Sequence, residues 1–203
     1  CRTALSRRGV SHITMPVDLQ EEKVSKSART KRNVPHHVSN IAVSRPGIPH
    51  EDALNEAAAL LNEGKKIAIL SGRGAIGAGD ILEQIAETLG AVIAKPLLGK
   101  CSVPDASPYC TGSVGMLGTQ PSHNALADCD TLFIVGSSFP YIEFYPKPDQ
   151  AKCVQLDIDP ARIGLRYPAD VGLAGDTKET LTALLPLLQK KTERAFLEKI
   201  QAA

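Results

Sequence analysis

From Glu51 onward, short unbroken apolar runs alternate with amphipathic stretches. KIAIL (66–70), AVIA (91–94), TLFIV (131–135) and CVQLDI (153–158) lack the polar alternation of half-exposed strands. Such runs are expected of strands covered on both faces in a parallel sheet. VGLA (171–174) adds a fifth strand, and a short one near Tyr109 would make a sixth. Helical stripes separate them. EDALNEAAALLNE places Leu54, Ala57, Ala58, Leu60 and Leu61 on one face. DILEQIAETL ends at Gly90, QPSHNALADC precedes TLFIV, and a last helix spans 176–189. The pattern predicts an α/β fold, a doubly wound parallel sheet of five to six strands, Rossmann-like, with right-handed crossovers.

The pattern also divides the chain. CRTALSRRGVSHITMPVD reads as a helix end, a turn at Gly9 and a short strand, a piece that needs a sheet from elsewhere. Residues 1–18 are therefore expected to be the remnant of an upstream domain. Polar, basic, proline-punctuated residues 19–50 read as a linker. Residues 51–190 form the main domain, and 191–203 an amphipathic tail toward a further one.

Composition narrows the function classes. The chain has 203 residues, 43% of them hydrophobic and 22% charged, enough for one good core. No run is long enough to span a bilayer, and no signal peptide is evident, so a cytoplasmic location is expected. Any membrane association would come from outside this segment. Net charge is +1, which gives no reason to expect nucleic acid as a partner. Residues 1–50 hold nine Lys/Arg against three Asp/Glu, a local +6 that fits a solvated linker. Cysteines at 1, 101, 110, 129 and 153 show no metal spacing and read as reduced thiols, with Cys153 in the core.

Candidate chemistry sits where strands end, because open α/β sheets bind ligands beyond the carboxyl ends of their strands. Gly72-Arg73-Gly74-Ala75-Ile76-Gly77 follows a strand and opens a helix, as a dinucleotide fingerprint must. The acidic residue that should end the next strand is missing, however. Lys95 stands there, suited to a 2′-phosphate or simply to solvent. Gly112-Ser113-Val114-Gly115-Met116-Leu117-Gly118 is a second glycine-rich segment, fit for close backbone approach or for a mobile loop. TLFIV runs into Gly136-Ser137-Ser138-Phe139-Pro140-Tyr141, and CVQLDI into Asp157 and Asp159. Those carboxylates suit ribose hydroxyls, a cation, or capping of the turn at Pro160; Asp176 suits the N-cap of the last helix. No Ser/His/Asp triad, HExxH or Walker A motif occurs, and His123 lies on a predicted helix.

Together, KKIAILSGRGAIGAG, LLGKCSVPDASPYCTGSVGMLGT, ADCDTLFIVGSSFPY and VQLDIDPARIGLRYPADVGLAGDTKETLTALLP resemble the central domain of thiamine diphosphate-dependent enzymes. The likeness covers about residues 51–190. It is greatest to the pyruvate oxidase and quinone-linked pyruvate dehydrogenase branch, with acetolactate synthase further off. RRGVSHITMPVDLQ looks like the closing strand of the preceding pyrimidine-binding domain. The resemblance implies that this domain performs no chemistry. Thiamine diphosphate and Mg2+ would be held by pyrimidine- and diphosphate-binding domains outside this chain, in a homo-oligomeric parent, a dimer or tetramer. It implies FAD as this domain's own cofactor. The implied contacts are Ser113, Val114, Gly115, Met116, Leu117, Gly136, Ser137, Ser138, Phe139, Pro140, Leu156 and Asp157, with Arg73 a weaker candidate. No catalytic and no metal-binding residue is expected here. The rival readings are a flavin-free structural domain of a related decarboxylase or synthase, and an independent NAD-dependent enzyme.

Overall fold

A computed structural model describes residue 4, residues 9–23 and residues 47–202. The chain divides into two units, Cys1–Arg45 and Pro46–Ala203. Most of the expected linker, residues 24–46, lies outside the described residues. In the first unit the strand expected after Gly9 is not formed; residues 10–16 carry no regular element and Val17–Gln20 make one helical turn. A lone strand has no ladder to satisfy its amides and carbonyls, so an extended pattern without a partner stays irregular.

The second unit holds one sheet of six parallel strands in the order β3-β2-β1-β4-β5-β6. These are β1 (Ile67–Ser71), β2 (Val92–Lys95), β3 (Cys110–Ser113), β4 (Thr131–Val135), β5 (Lys152–Asp157) and β6 (Val171–Ala174). The short strand expected near Tyr109 is β3. Among the described residues, five α-helices accompany them: α1 (Glu51–Glu63), α2 (Gly79–Leu89), α3 (Gln120–Asp128), α4 (Thr177–Leu184) and α5 (Ala195–Gln201).

Period-2 geometry explains why the unbroken apolar runs form strands here. Ile67, Ile69, Phe133 and Val135 enter one core with α1, α2 and α4. Their neighbours Ala68, Leu70, Leu132 and Ile134 enter a second core with α3 and α5. Each face of β1 and β4 is thus covered, and every residue of both strands is buried. Helix ends follow local chemistry. Gly90 takes φ +63° and donates to the Ala86 carbonyl to stop α2, and Asp176 caps α4 through the amides of Lys178 and Glu179. The tail folds back: Phe196, Leu197 and Ile200 of α5 are buried in the second core. Among the described residues, no helix is long and apolar enough to cross a membrane.

Candidate functional site

All six strands run the same way, so every strand-to-helix turn leaves one edge of the sheet. Strand order reverses between β1 and β4, the position where α/β folds open a crevice. Here the protein's own backbone fills it. Gly72 donates its amide to the Val135 carbonyl and Gly74 to the Gly136 carbonyl, each at 2.9 Å. A Cβ on Gly72 would lie 2.4 Å from the Gly136 oxygen. The amides of Ala75, Ile76 and Ala78 are also bonded to protein carbonyls. The start of α2 is covered as well, since a Cβ on Gly79 would meet the Ser102 carbonyl at 2.7 Å. Gly72 and Gly74 of GRGAIG therefore serve close packing of two turns, and Gly77 supplies a φ of +90°, leaving no phosphate cradle of the nicotinamide type.

Lys95 has neither of its expected roles. Its side chain is wholly buried, and Nζ donates to the Val103 carbonyl and to Asp105 Oδ1, both at 2.7 Å. Lys100 binds the other Asp105 oxygen at 2.8 Å. The two ammonium groups, Lys100 foremost, hold the Asp105 carboxyl down at about 2. With a Ser71–Ser102 hydroxyl bond at 2.7 Å, this clasp pins the connection leaving β2. That connection presents Leu97 and Leu98 to solvent.

The GSVGMLG segment continues from β3 as a closed finger. Thr119 N donates to Ser113 O and Gly118 N to Gly115 O, both at 2.8 Å. Gly115 needs φ +126°, a region side chains disfavour. Val114 is buried, while Met116 and Leu117 at the tip are 82% and 98% exposed.

After β4, Gly136 takes φ +56° and donates to the Leu156 carbonyl at 2.8 Å. Ser137 Oγ accepts from the Phe139 amide at 3.3 Å, fixing the turn. Phe139 is buried and its carbonyl accepts from Tyr145 Oη at 2.9 Å; burial raises the Tyr145 phenol well above its usual range. Pro140 and Tyr141 face solvent. A Cβ on Gly115 would sit 3.6 Å from the Phe139 ring, so the finger and this turn meet although β2 and β1 separate β3 from β4. At β5, Asp157 is buried and accepts from the Asp159 amide at 3.0 Å, while Asp159 caps the turn at Ala161. Arg162 reaches across to Ser138 Oγ at 3.1 Å.

The expected contact residues are thus gathered at one edge with unequal access. The Leu156 side chain lies wholly in the core, and only its backbone contributes at the edge. Ser137 and Asp157 already engage their own turns; Met116, Leu117 and Pro140 are open. Arg73 is exposed at the turn after β1 and Arg162 at that after β5, two guanidinium groups suited to phosphate. Exposed apolar side chains also leave this edge from successive strands: Ile76 after β1, Leu97 after β2, Met116 after β3, Ile142 after β4 and Ile158 after β5. Apolar exposure concentrated on one edge marks a surface that meets something.

Sequence reasoning missed two organising residues. Gln155, buried in β5, donates to Arg162 O at 3.0 Å and accepts from Gly164 N at 2.9 Å, holding the turn from both sides. Its signal was a lone amide inside an apolar run. His123 bonds to Gly115 O at 3.0 Å and had no local signal. Among the described residues, no three His, Cys, Asp or Glu side chains are grouped to hold a metal ion.

The fold and this edge have known relatives. Residues 54–184 match the family model of the thiamine pyrophosphate enzyme, central domain. The chain is 35% identical over 196 residues to YdaP of Bacillus subtilis, described as a thiamine pyrophosphate-containing protein, covering 97% of this chain and 33% of that one. It is 28% identical to pyruvate oxidase of Lactiplantibacillus plantarum, covering 94% and 31%. A solved Mycobacterium smegmatis structure, described as a thiamin diphosphate-dependent enzyme, superposes with a TM-score of 0.63 at 26% identity, covering 79% of this chain and 32% of that one. The chain spans about a third of the length of each of these relatives. The sheet order, the turns at its carboxyl edge and these matches place the chain in the thiamine pyrophosphate enzyme family, as its central domain.

Proposed function

We propose that this domain holds FAD within a longer thiamine diphosphate-dependent parent enzyme that decarboxylates a 2-oxo acid, pyruvate being the expected one. One observation carries the reading. Three segments from β3, β4 and β5, distant in sequence, converge at one edge and expose apolar side chains on rigid turns beside two arginines. An extended dinucleotide needs those features: glycine turns for close approach, guanidinium groups for its diphosphate and apolar surface for its ring. The finger at Gly115, the turn at Gly136–Pro140 and the end of β5 at Asp157 would hold it; Arg73 and Arg162 would meet its charge. When bound, FAD supplies a two-electron acceptor, and electrons would pass on to oxygen or a quinone.

Thiamine diphosphate and Mg2+ belong, in this reading, to pyrimidine- and diphosphate-binding domains outside residues 51–190. The parent would be a cytoplasmic homo-oligomer. The isolated chain should bind FAD weakly, because a cofactor lying between domains loses part of its enclosure when they are removed.

A second reading, a flavin-free central domain, is favoured by the internal engagement of Ser137 and Asp157. In that case neighbouring domains alone would cover Met116 and Leu117. A visible absorbance scan of the purified parent separates the two. Flavin bands, or their appearance on adding FAD, are expected; a parent with neither would leave the structural reading standing.

A further inference from the structure

His123 lies in the first turn of α3, half-buried, with Nε2 3.0 Å from the Gly115 carbonyl. A carbonyl only accepts, so Nε2 carries the proton in this contact. The Gly118 amide donates to the same oxygen at 2.8 Å, closing the turn that has Met116 and Leu117 at its tip. A Cβ at Gly118 would lie 2.6 Å from Nε2, so glycine there lets the imidazole reach its acceptor. The ring also stacks on Phe144, with centroids 5.0 Å apart and planes at 29°. Phe144 in turn packs on Phe139 at 6.2 Å. His123 therefore touches the finger after β3 and, through Phe144, the turn after β4, segments that belong to non-adjacent strands.

We propose that His123 is a positioning residue of the cofactor edge, its Nε2–H fixing the Met116–Leu117 finger at a set height over the Phe139 turn. The proposal rests on the flavin reading for its ligand and on the Gly115–His123 bond for its geometry. Ring stacking and hydrogen bonding are separable. His123→Phe keeps a ring over Phe144 and removes the donor; His123→Gln removes the ring and keeps an amide N–H where Nε2 stands.

FAD affinity of the full-length parent, by titration of the flavin-depleted protein, and amide exchange across residues 113–119 test it together. His123→Phe should weaken FAD about tenfold, the worth of one ordered hydrogen bond, and speed exchange at Gly118. His123→Gln should stay within about threefold of wild type in affinity and keep Gly118 protected. Unchanged exchange in β1 and β4 of both variants shows that the fold is intact. Wild-type affinity in His123→Phe, or equal losses in both variants, would overturn the proposal. If the wild-type parent takes up no FAD, the flavin reading fails separately. The positioning claim then stands on faster Gly118 exchange in His123→Phe and falls if that exchange is unchanged.

Discussion

Gly74 donates its amide to the carbonyl of Gly136 at 2.9 Å, and a Cβ on Gly136 would lie 2.5 Å from the Gly74 Cα. Two turns from neighbouring strands thus meet backbone to backbone at the point where strand order reverses. Gly136 also sits at φ +56°. Gly136→Ala meets both obstacles and should lower stability by at least about 1–3 kcal/mol. Urea unfolding of the chain measures it; a loss within about 0.5 kcal/mol would show that the turns are not in contact.

Removing the buried ammonium of Lys95 should cost comparably. Lys95→Met leaves the Val103 carbonyl without its donor and Asp105 without one of its two partners. An orphaned buried acceptor costs about 1–3 kcal/mol. Stability by urea titration and amide exchange across residues 96–105 should both report it, with exchange rising first in that connection. A stable variant with an unchanged exchange pattern would refute the clasp.

Asp105 predicts a pH dependence of defined sign. Its carboxyl is lowered from 3.8 to about 2 by Lys100 and Lys95. A depressed acid stabilises the fold above its unfolded value, and that contribution fades as pH falls through the folded value. The stability advantage of wild type over Asp105→Asn should therefore shrink from about pH 4 to about pH 2. Acid titrations of the two proteins followed by circular dichroism will show it. A gap that stays constant across that window would contradict the pairing.

Thiol accessibility offers a sharp contrast. Cys101 is exposed, whereas Cys129 and Cys153 are buried, and burial pushes the Cys129 thiol up to about 12 and raises Cys153 also. At about pH 8 a maleimide should modify Cys101 in the native chain and spare Cys129 and Cys153 until denaturant is added. Peptide mapping by mass spectrometry distinguishes the sites. Native modification of Cys153 would place β5 at the surface.

The alternation of apolar runs and amphipathic stretches was enough to determine the sheet class, both faces of β1 and β4, the helix stop at Gly90 and the helix start at Asp176. These follow from local periodicity and capping, which neighbouring residues alone express. Tertiary structure decided what the polar and glycine positions do. Lys95 is a buried clasp because Asp105 and Val103 return to it across a loop. Gly72 and Gly74 of GRGAIG are packing glycines because Gly136 arrives opposite them. Leu156 turns into the core by strand alternation set against α1, and the finger at Gly115 meets Phe139 only because it reaches across two strands. In each case the partner lies far along the chain or on another element, and its position depends on the packed sheet.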